Sequence, residues 1–197
     1  MKGLVWLRND IRMDDNPALK TAFEECDSVI SVYAWSSEQL KKHNEANIKQ
    51  DFLVQNLKSL AANLNAVNVP LLIMESESFH TVKDEIANLI QEHSINKIYW
   101  NKEFALDEIN RDKGGHDALE AQSVEIQIFN DQIIYEPGFL RTGQDNPFSV
   151  FTPFKRRWIE NFDMKFLDIE FDYPMKDKLN FESNVDTFDF GFTSTHG

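Results

Sequence analysis

Short apolar runs alternate with longer amphipathic segments along the first 130 residues of the chain. Each run has the length of a buried strand, and each amphipathic segment repeats its apolar residues at the 3.6-residue period of a helix. The predicted strands are 4–7, 28–35, 70–74, 96–101 and 124–129. The predicted helices between them are 17–25, 48–64, 79–93 and 106–122.

Strands that alternate with helices of this length predict βαβ units and a parallel sheet. Because such crossovers are right-handed, helices cover both faces of the sheet. The predicted fold is therefore α/β: a Rossmann-like, doubly wound, five-stranded parallel sheet flanked by helices, with a C-terminal linker. Ligands of such sheets bind at the carboxyl ends of the strands, where the strand order reverses. The loops after the first, second and fourth strands are the predicted location of a functional site.

The character of the sequence changes after residue 130. Residues 131–162 are aromatic and irregular, with a helix from about Thr152, and residues 163–197 form an extended segment poor in aliphatic residues. We therefore divide the chain into an α/β domain (1–130), the end of that domain (131–162) and a linker (163–197). Four phenylalanines between 181 and 192 have no apparent partner in the sequence, which predicts that a further domain covers them.

Composition and charge narrow the possible functions. The net charge is −13, so this segment is not expected to supply a face that binds nucleic acid. The one cysteine, Cys26, excludes an intrachain disulfide, favours a reducing compartment and is predicted to be a packed thiol. No apolar run reaches the roughly 20 residues of a membrane span, and no signal peptide is recognisable. A cytoplasmic protein without a membrane partner is expected.

The signatures of familiar α/β enzymes do not occur in the sequence. There is no G-x-G-x-x-G fingerprint, no P-loop and no G-x-S-x-G elbow. The five histidines do not have metal-ligand spacing. The sequence therefore predicts neither a catalytic residue nor a metal site within this chain.

Charged residues alternate in the loop that follows the first strand. Arg8, Asp10, Arg12, Asp14 and Asn16 fall at every second position, which would place them on one face of an extended segment. One interpretation is a solvated loop in which Asp15 or Asn16 caps the following helix. The other is a lattice of arginine–carboxylate pairs that makes the loop rigid.

Three segments resemble the DNA photolyase and cryptochrome family. "VWLRNDIRMDDNPAL" (5–19) is similar to the family's opening pattern, and "WNKEFALDEINRD" (100–112) to the segment after its fourth strand. "YEPGFLRTGQDNPFSVFTPFKRRW" (135–158) is similar to a second family signature and most resembles the class I cyclobutane-dimer photolyases. Together they cover the family's N-terminal α/β domain and the start of its interdomain linker.

The resemblance implies one part of a larger light-driven enzyme. Family members carry catalytic FAD in a C-terminal helical domain, which this sequence lacks, and that domain is the expected partner in cis. The implied whole protein is a lyase that splits pyrimidine dimers, and damaged DNA would be bound only by the full-length protein. This chain is not expected to be catalytic alone. The alternatives are a fragment of a cryptochrome-type photoreceptor and a stand-alone nucleotide- or flavin-binding α/β module.

The resemblance also implies an antenna chromophore, which is a methenyltetrahydrofolate, a flavin or a deazaflavin. Asp107 and Glu108 match the family's folate contacts, where a carboxylate suits a pterin edge. The family's usual residue at position 107 is an amide, so Asp107 departs from the pattern. The alternative for both is a pair of helix N-terminal carboxylates favoured by the dipole.

The segment after the second strand supplies the other chromophore contacts that we expect. His43 and Lys49 resemble the family segment that begins the next helix. Trp35, at the end of the second strand, either stacks on the chromophore or belongs to the core.

The family resemblance assigns a separate role to the first loop. Its charged residues brace the α/β domain against the linker and the helical domain. The residues of this structural junction are Arg8, Asp10, Arg12 and Asp15.

Overall fold

The sheet predicted from the sequence is present in the computed structural model, which describes residues 1–42, 44–76, 81–120, 124–167 and 170–192. Five parallel strands lie in the order β3-β2-β1-β4-β5, so the strand order reverses between β1 and β4. The strands are β1 (Lys2–Leu7), β2 (Ser28–Trp35), β3 (Leu71–Glu75), β4 (Lys97–Asn101) and β5 (Glu125–Phe129). The α/β fold class is confirmed.

Six helices accompany these strands within the described ranges. They are α1 (Pro17–Glu25), α2 (Ser37–Lys42), α3 (Asn47–Asn65), α4 (Val82–His93), α5 (Leu106–Glu120) and α6 (Phe151–Asn161). A short 3₁₀ turn, Met164–Leu167, follows α6. The short helix α2 was not predicted, and the other five match the predicted segments to within a few residues. None of the helices described here has both the length and the apolarity needed to cross a bilayer.

Two apolar layers enclose the sheet. Along β1, Val5 and Leu7 face the layer under α1 and α3, whereas Leu4 and Trp6 face the layer under α4 and α5. All four side chains are at most 1% exposed. This alternation is the period-2 pattern of a strand that is buried on both faces.

Glycine permits close packing at Gly3 of β1. A Cβ on Gly3 would lie only 2.7 Å from the Cys26 sulfur. Cys26 is itself 3% exposed and contacts the Tyr99 hydroxyl at 3.2 Å, and burial raises the pKa of its thiol. The interpretation of Cys26 as a packed thiol is confirmed.

The linker packs against the α/β domain instead of extending from it. Phe188, Phe190 and Phe192 cover the layer under α1 and α3, and Phe181 packs on His93 of α4, with ring centroids 4.5 Å apart. The prediction that these phenylalanines lack a surface in this chain is therefore wrong. The reason is that both apolar layers extend beyond the helices, and the linker covers the part that remains open.

Residues 183–192, which we call the edge strap, close the outer edge of the sheet. The Asn184 side chain accepts a hydrogen bond from the backbone N–H of Ile73 (2.7 Å) and donates one to its carbonyl (2.9 Å). The Leu71 N–H donates to the Ser183 hydroxyl at 2.8 Å. Val185 inserts into the core and is 3% exposed. The Asn184 backbone N–H also donates to the Leu71 carbonyl at 3.3 Å, so side chains and backbone of the edge strap together cover the open edge of β3.

Candidate functional site

A cavity of about 540 Å³ opens at the carboxyl ends of the strands, beside the point where the strand order reverses. Residues from β1 and β2 and from the loops that follow β1 to β4 form its base, and α3 and α5 form its sides. The charged and polar members of its lining are Arg8, Asn9, Tyr33, Ser36, Glu45, Lys49, Gln50, Asn56, Ser76, Glu103, Glu108 and Arg111. Its position is the one that open α/β sheets use for ligands.

Arg8 is the most deeply buried cation in this lining. Its Nη1 donates to the carbonyl of Asn101 (2.8 Å) and to Asp112 (2.9 Å). Its buried Nε and Nη2 have no hydrogen-bond partner among the residues that the structure describes. Burial, followed by the charge of Arg111, lowers the pKa of Arg8 to about 10, so the guanidinium is still charged at neutral pH. A buried cation with unused donors favours a ligand that presents acceptor atoms.

Asn101 and Asp10 hold the loop that carries Arg8. The Asp10 carboxylate accepts from the Arg8 backbone N–H (2.7 Å) and from the Asn101 side chain (2.6 Å). Asn101 also donates to Asn16 (2.8 Å) and accepts from the Ala18 N–H (3.2 Å). Asn16 caps α1 by accepting from Leu19 N, as one of the two interpretations of this loop predicted. The first loop is therefore fixed to β4 and α1 together.

A second ion-pair group forms the α5 side of the cavity. Arg111 donates to Glu103 at 2.6 Å and to Asp112 at 3.0 Å, and its exposed fraction is 8%. Glu103 also accepts from the Asn9 side chain. Asp112 joins this group to Arg8, so the arginine–carboxylate lattice is also present. It runs across α5 and not along one face of the loop, because residues 8–16 turn and are not extended.

Tyr33 and Lys49 complete the polar lining from β2 and α3. Burial, followed by the charge of Glu103, raises the pKa of Tyr33 to about 12, so its phenol stays protonated. Lys49 lies at the mouth and pairs with Glu45 at 2.6 Å. The exposed ring of Phe52 lies on the same rim. The cavity thus has a charged, buried base, and its rim combines the Lys49–Glu45 ion pair with the Phe52 ring.

The chromophore residues predicted from the sequence fall in different places. Glu108 and Lys49 line the cavity, whereas Asp107 is exposed and does not. Neighbouring helical positions point about 100° apart, which is why one α5 carboxylate faces the cavity and the other faces solvent. His43 lies outside the described residues.

Trp35 is placed in the core. Its ring is 1% exposed, lies 4.9 Å from the Phe190 ring and 6.1 Å from the Phe192 ring, and does not line the cavity. Its side chain points to the opposite face of β2 from that of Ala34, which does line the cavity. The edge strap therefore occupies the face of Trp35 on which a chromophore was expected to stack.

The predicted junction residues divide into two groups. Arg8 and Asp10 act within the α/β domain, in the network around Asn101. Arg12 donates to Asp131 at 2.6 Å and to the carbonyl of Asp15 at 2.7 Å, so it joins the first loop to the start of segment 131–162. Burial raises the pKa of Asp131. Asp15 takes part through its backbone, at a φ of 51°.

Of the charged and polar lining residues, only Arg8, Lys49 and Glu108 were among the predicted site residues, and Tyr33 and Glu103 are examples of those that were missed. Both lie at or just beyond the carboxyl end of a strand, β2 and β4 respectively. Their position at the strand ends could have identified them, because the loops after these strands were already the expected place for a ligand. Side-chain direction at a strand end was not predictable from the pattern alone.

Comparisons with known proteins agree with this architecture. The family model described as DNA photolyase matches residues 3–174. The deoxyribodipyrimidine photo-lyase of Vibrio cholerae is 35% identical over 159 residues, which is 81% of this chain and 34% of that protein. The chain thus spans about a third of the length of this curated relative.

Solved structures show the same fold. A bacterial class III photolyase from Agrobacterium tumefaciens superimposes with a TM-score of 0.75 at 24% identity, covering 98% of this chain and 39% of that one. An archaeal photolyase from Sulfolobus tokodaii was solved with two FAD molecules and is described as implying a novel light-harvesting cofactor. It superimposes with a TM-score of 0.66 at 21% sequence identity, covering 95% of this chain and 40% of that one. With the matched family model, these findings show that the chain belongs to the DNA photolyase family.

Proposed function

We propose that this chain is the N-terminal domain of a photolyase and that the cavity between α3 and α5 binds the light-harvesting chromophore. The observation that carries this proposal is the pair of buried, unpartnered N–H groups of Arg8 in the cavity lining. In the whole protein, a further domain with catalytic FAD would split pyrimidine dimers and bind damaged DNA. The net charge of −13 agrees with leaving DNA binding to that domain. The reducing environment favoured by the single cysteine fits a cytoplasmic protein.

The residues of the cavity fit a flavin or deazaflavin better than a folate. Its volume of about 540 Å³ lies within the range of about 300–1,000 Å³ typical of ligand pockets. The carbonyl edge of a flavin-type ring accepts hydrogen bonds, which suits the free donors of Arg8. A folate contact through both Asp107 and Glu108 is disfavoured because only Glu108 faces the cavity. The Sulfolobus tokodaii photolyase, solved with two FAD molecules and described as implying a novel light-harvesting cofactor, supports a flavin as the chromophore.

The chain's contribution is binding and orientation. Arg8 would donate to the acceptor edge of the ring, while Asp10 and Asn101 hold the loop that carries Arg8. Glu108 and Lys49 would contact the polar tail at the mouth. The bound chromophore supplies absorption of light and transfer of the excitation to FAD. Because that transfer depends on orientation, a site built on strand ends and fixed by buried hydrogen bonds is suitable.

The junction residues have a complementary role in this proposal. The Arg12–Asp131 pair and the backbone of Asp15 hold the first loop against segment 131–162. That segment leads into the linker, so the pair would fix the α/β domain relative to whatever follows the linker. Arg8 and Asp10 would contribute indirectly, by keeping the loop rigid.

Titration of the purified chain with FMN and with methenyltetrahydrofolate tests the proposal. We expect saturable FMN binding that weakens about 10- to 100-fold in Arg8→Lys, which keeps the charge but loses the guanidinium donors. Asp107→Asn is the matched control and should not change the FMN affinity. Far-UV circular dichroism verifies that each variant is folded.

Two results would count against this assignment. If the wild-type chain binds neither compound, the cavity is not a chromophore site. If it binds the folate tightly, and Asp107→Ala abolishes that binding while FMN does not bind, the folate alternative replaces the flavin one.

A further inference from the structure

Trp6 lies in the wall of the cavity, close to two guanidinium groups. The Cζ atom of Arg8 is 4.1 Å from the centroid of the Trp6 ring, and that of Arg111 is 5.4 Å from it. Arg8 also lies 5.4 Å from the ring of Trp100, which packs edge-on against Trp6 with centroids 5.7 Å apart. An indole that lines the cavity therefore has two cations close to its ring.

An indole beside a light-absorbing ring is a potential quencher. Excitation leaves a vacancy in the lower-energy orbital of the chromophore ring. One electron can move from the indole π system into that vacancy. This transfer oxidises the indole to its radical cation and reduces the chromophore by one electron. No bond forms or breaks and no proton needs to move. The electron then returns, and the excitation is lost before it can be passed on. A chromophore site that contains a tryptophan must therefore make this step unfavourable.

The two guanidinium groups oppose this electron transfer. A cation over the ring face attracts the neutral indole but repels its radical cation. One unit charge at 5.4 Å, at the effective dielectric constant of about 20 found for proteins, shifts the electron-transfer equilibrium by roughly two powers of ten. The carboxylates of Glu103 and Asp112 offset part of this effect. Arg8 is closer to Trp6 than Arg111 is, and the same guanidinium opposes migration of the positive charge to Trp100.

We propose that Arg8 and Arg111 keep Trp6 difficult to oxidise, so that the cavity wall does not quench the excited chromophore. This inference rests on the proposed function and assigns both arginines a positioning role that acts through Trp6. Tyr33, the other electron-rich ring in the lining, is protected differently. Burial, followed by the charge of Glu103, raises the pKa of Tyr33 to about 12, and a protonated phenol is harder to oxidise than a phenolate.

Time-resolved fluorescence of FMN bound to the full chain tests the inference. Arg111→Gln alone would leave Glu103 buried and unpaired, so the variant used is the double substitution Arg111→Gln/Glu103→Gln. We expect its FMN lifetime to be shorter than that of the wild type, but by less than the roughly tenfold change that loss of the Arg111 charge alone would give if half of the shift in equilibrium reaches the barrier, because the opposing charge of Glu103 is removed as well. Arg111→Lys, which keeps the charge, should retain most of the lifetime. Adding Trp6→Phe to the double variant should restore the FMN lifetime of the wild type.

The pattern across these variants separates tuning from a purely structural role. Loss of packing alone would alter FMN affinity but would not give a lifetime that depends on Trp6. The inference is overturned if FMN binds and Trp6→Phe in the wild-type background lengthens the lifetime several-fold, because Trp6 then quenches despite the cations. It is also overturned if the double variant keeps the wild-type lifetime. Absence of FMN binding to the wild type is a different result, which overturns the proposed function and this inference together.

Discussion

Replacement of Asn101 by leucine is the most direct test of how the first loop is held. Asn101 is 3% exposed and its side chain makes three hydrogen bonds. It donates to Asp10 (2.6 Å) and to Asn16 (2.8 Å), and it accepts from the N–H of Ala18 (3.2 Å). Leucine is similar in size to asparagine but can make none of these bonds.

The expected loss follows from the groups left behind. The bond to the Asp10 carboxylate is charge-assisted and contributes about 1.5–3 kcal/mol, and the bond to Asn16 about 1 kcal/mol. The Ala18 N–H has no other acceptor among the described residues and costs about 1–3 kcal/mol when left unpaired in the interior. Burial of the apolar leucine side chain returns about 1 kcal/mol. We therefore expect Asn101→Leu to lower the free energy of unfolding by about 2.5–6 kcal/mol, a large part of the 5–15 kcal/mol usual for a domain.

Urea unfolding followed by circular dichroism measures this difference. Asn161→Leu on α6 is the control, because Asn161 is exposed and bonds only within its own helix, and its effect should be within about 0.5 kcal/mol. A loss below about 1 kcal/mol for Asn101→Leu would refute the reasoning. It would mean that the loop finds other partners for Asp10 and Ala18.

Three further outcomes are expected in the α/β domain and the edge strap. Gly3→Ala should lower the free energy of unfolding by about 1–3 kcal/mol because its Cβ would lie 2.7 Å from a sulfur, whereas Gly143→Ala, with open space around it, should not. A hydrogen bond from Lys97 holds the pKa of Glu25 below its ordinary value, so this stabilisation is complete above about pH 4.3 and is lost as the pH falls through the lower folded-state pKa. Urea midpoints of Glu25→Gln should therefore decline less in acid than those of the wild type. Asn184→Asp should cost about 1–3 kcal/mol in the same assay, because a carboxylate cannot donate to the β3 carbonyl.

The sheet was predictable because each strand is a short, mostly apolar run that is separated from the next strand by a helix of at least nine residues. The run 28–35 and the helix 17–25 match β2 and α1 to the residue. The short helix α2 was missed because six residues carry fewer than two turns of periodicity. The edge strap was missed for another reason: Asn184 pairs with the backbone of Ile73, and backbone groups leave no trace in a pattern of side chains.

The candidate site was predictable in position but less so in membership. The rule that ligands bind at carboxyl ends of parallel strands placed the cavity correctly. It did not decide which of two adjacent carboxylates, Asp107 or Glu108, would point inward, since that depends on the rotation of α5. It also left open whether Trp35 would meet a ligand or the core, because the competing surface is a segment more than 150 residues later in the chain.

The edge strap has a consequence for how the chain is made. Asn184 follows Ile73 by 111 residues, so β3 leaves the ribosome long before the side chain that closes its edge. At about 5–20 residues per second, the edge stays open for roughly 6–22 s of synthesis. During that interval an unpaired strand can pair with a neighbouring nascent chain. Slower translation through residues 74–184 should therefore increase aggregation without any change in the finished protein.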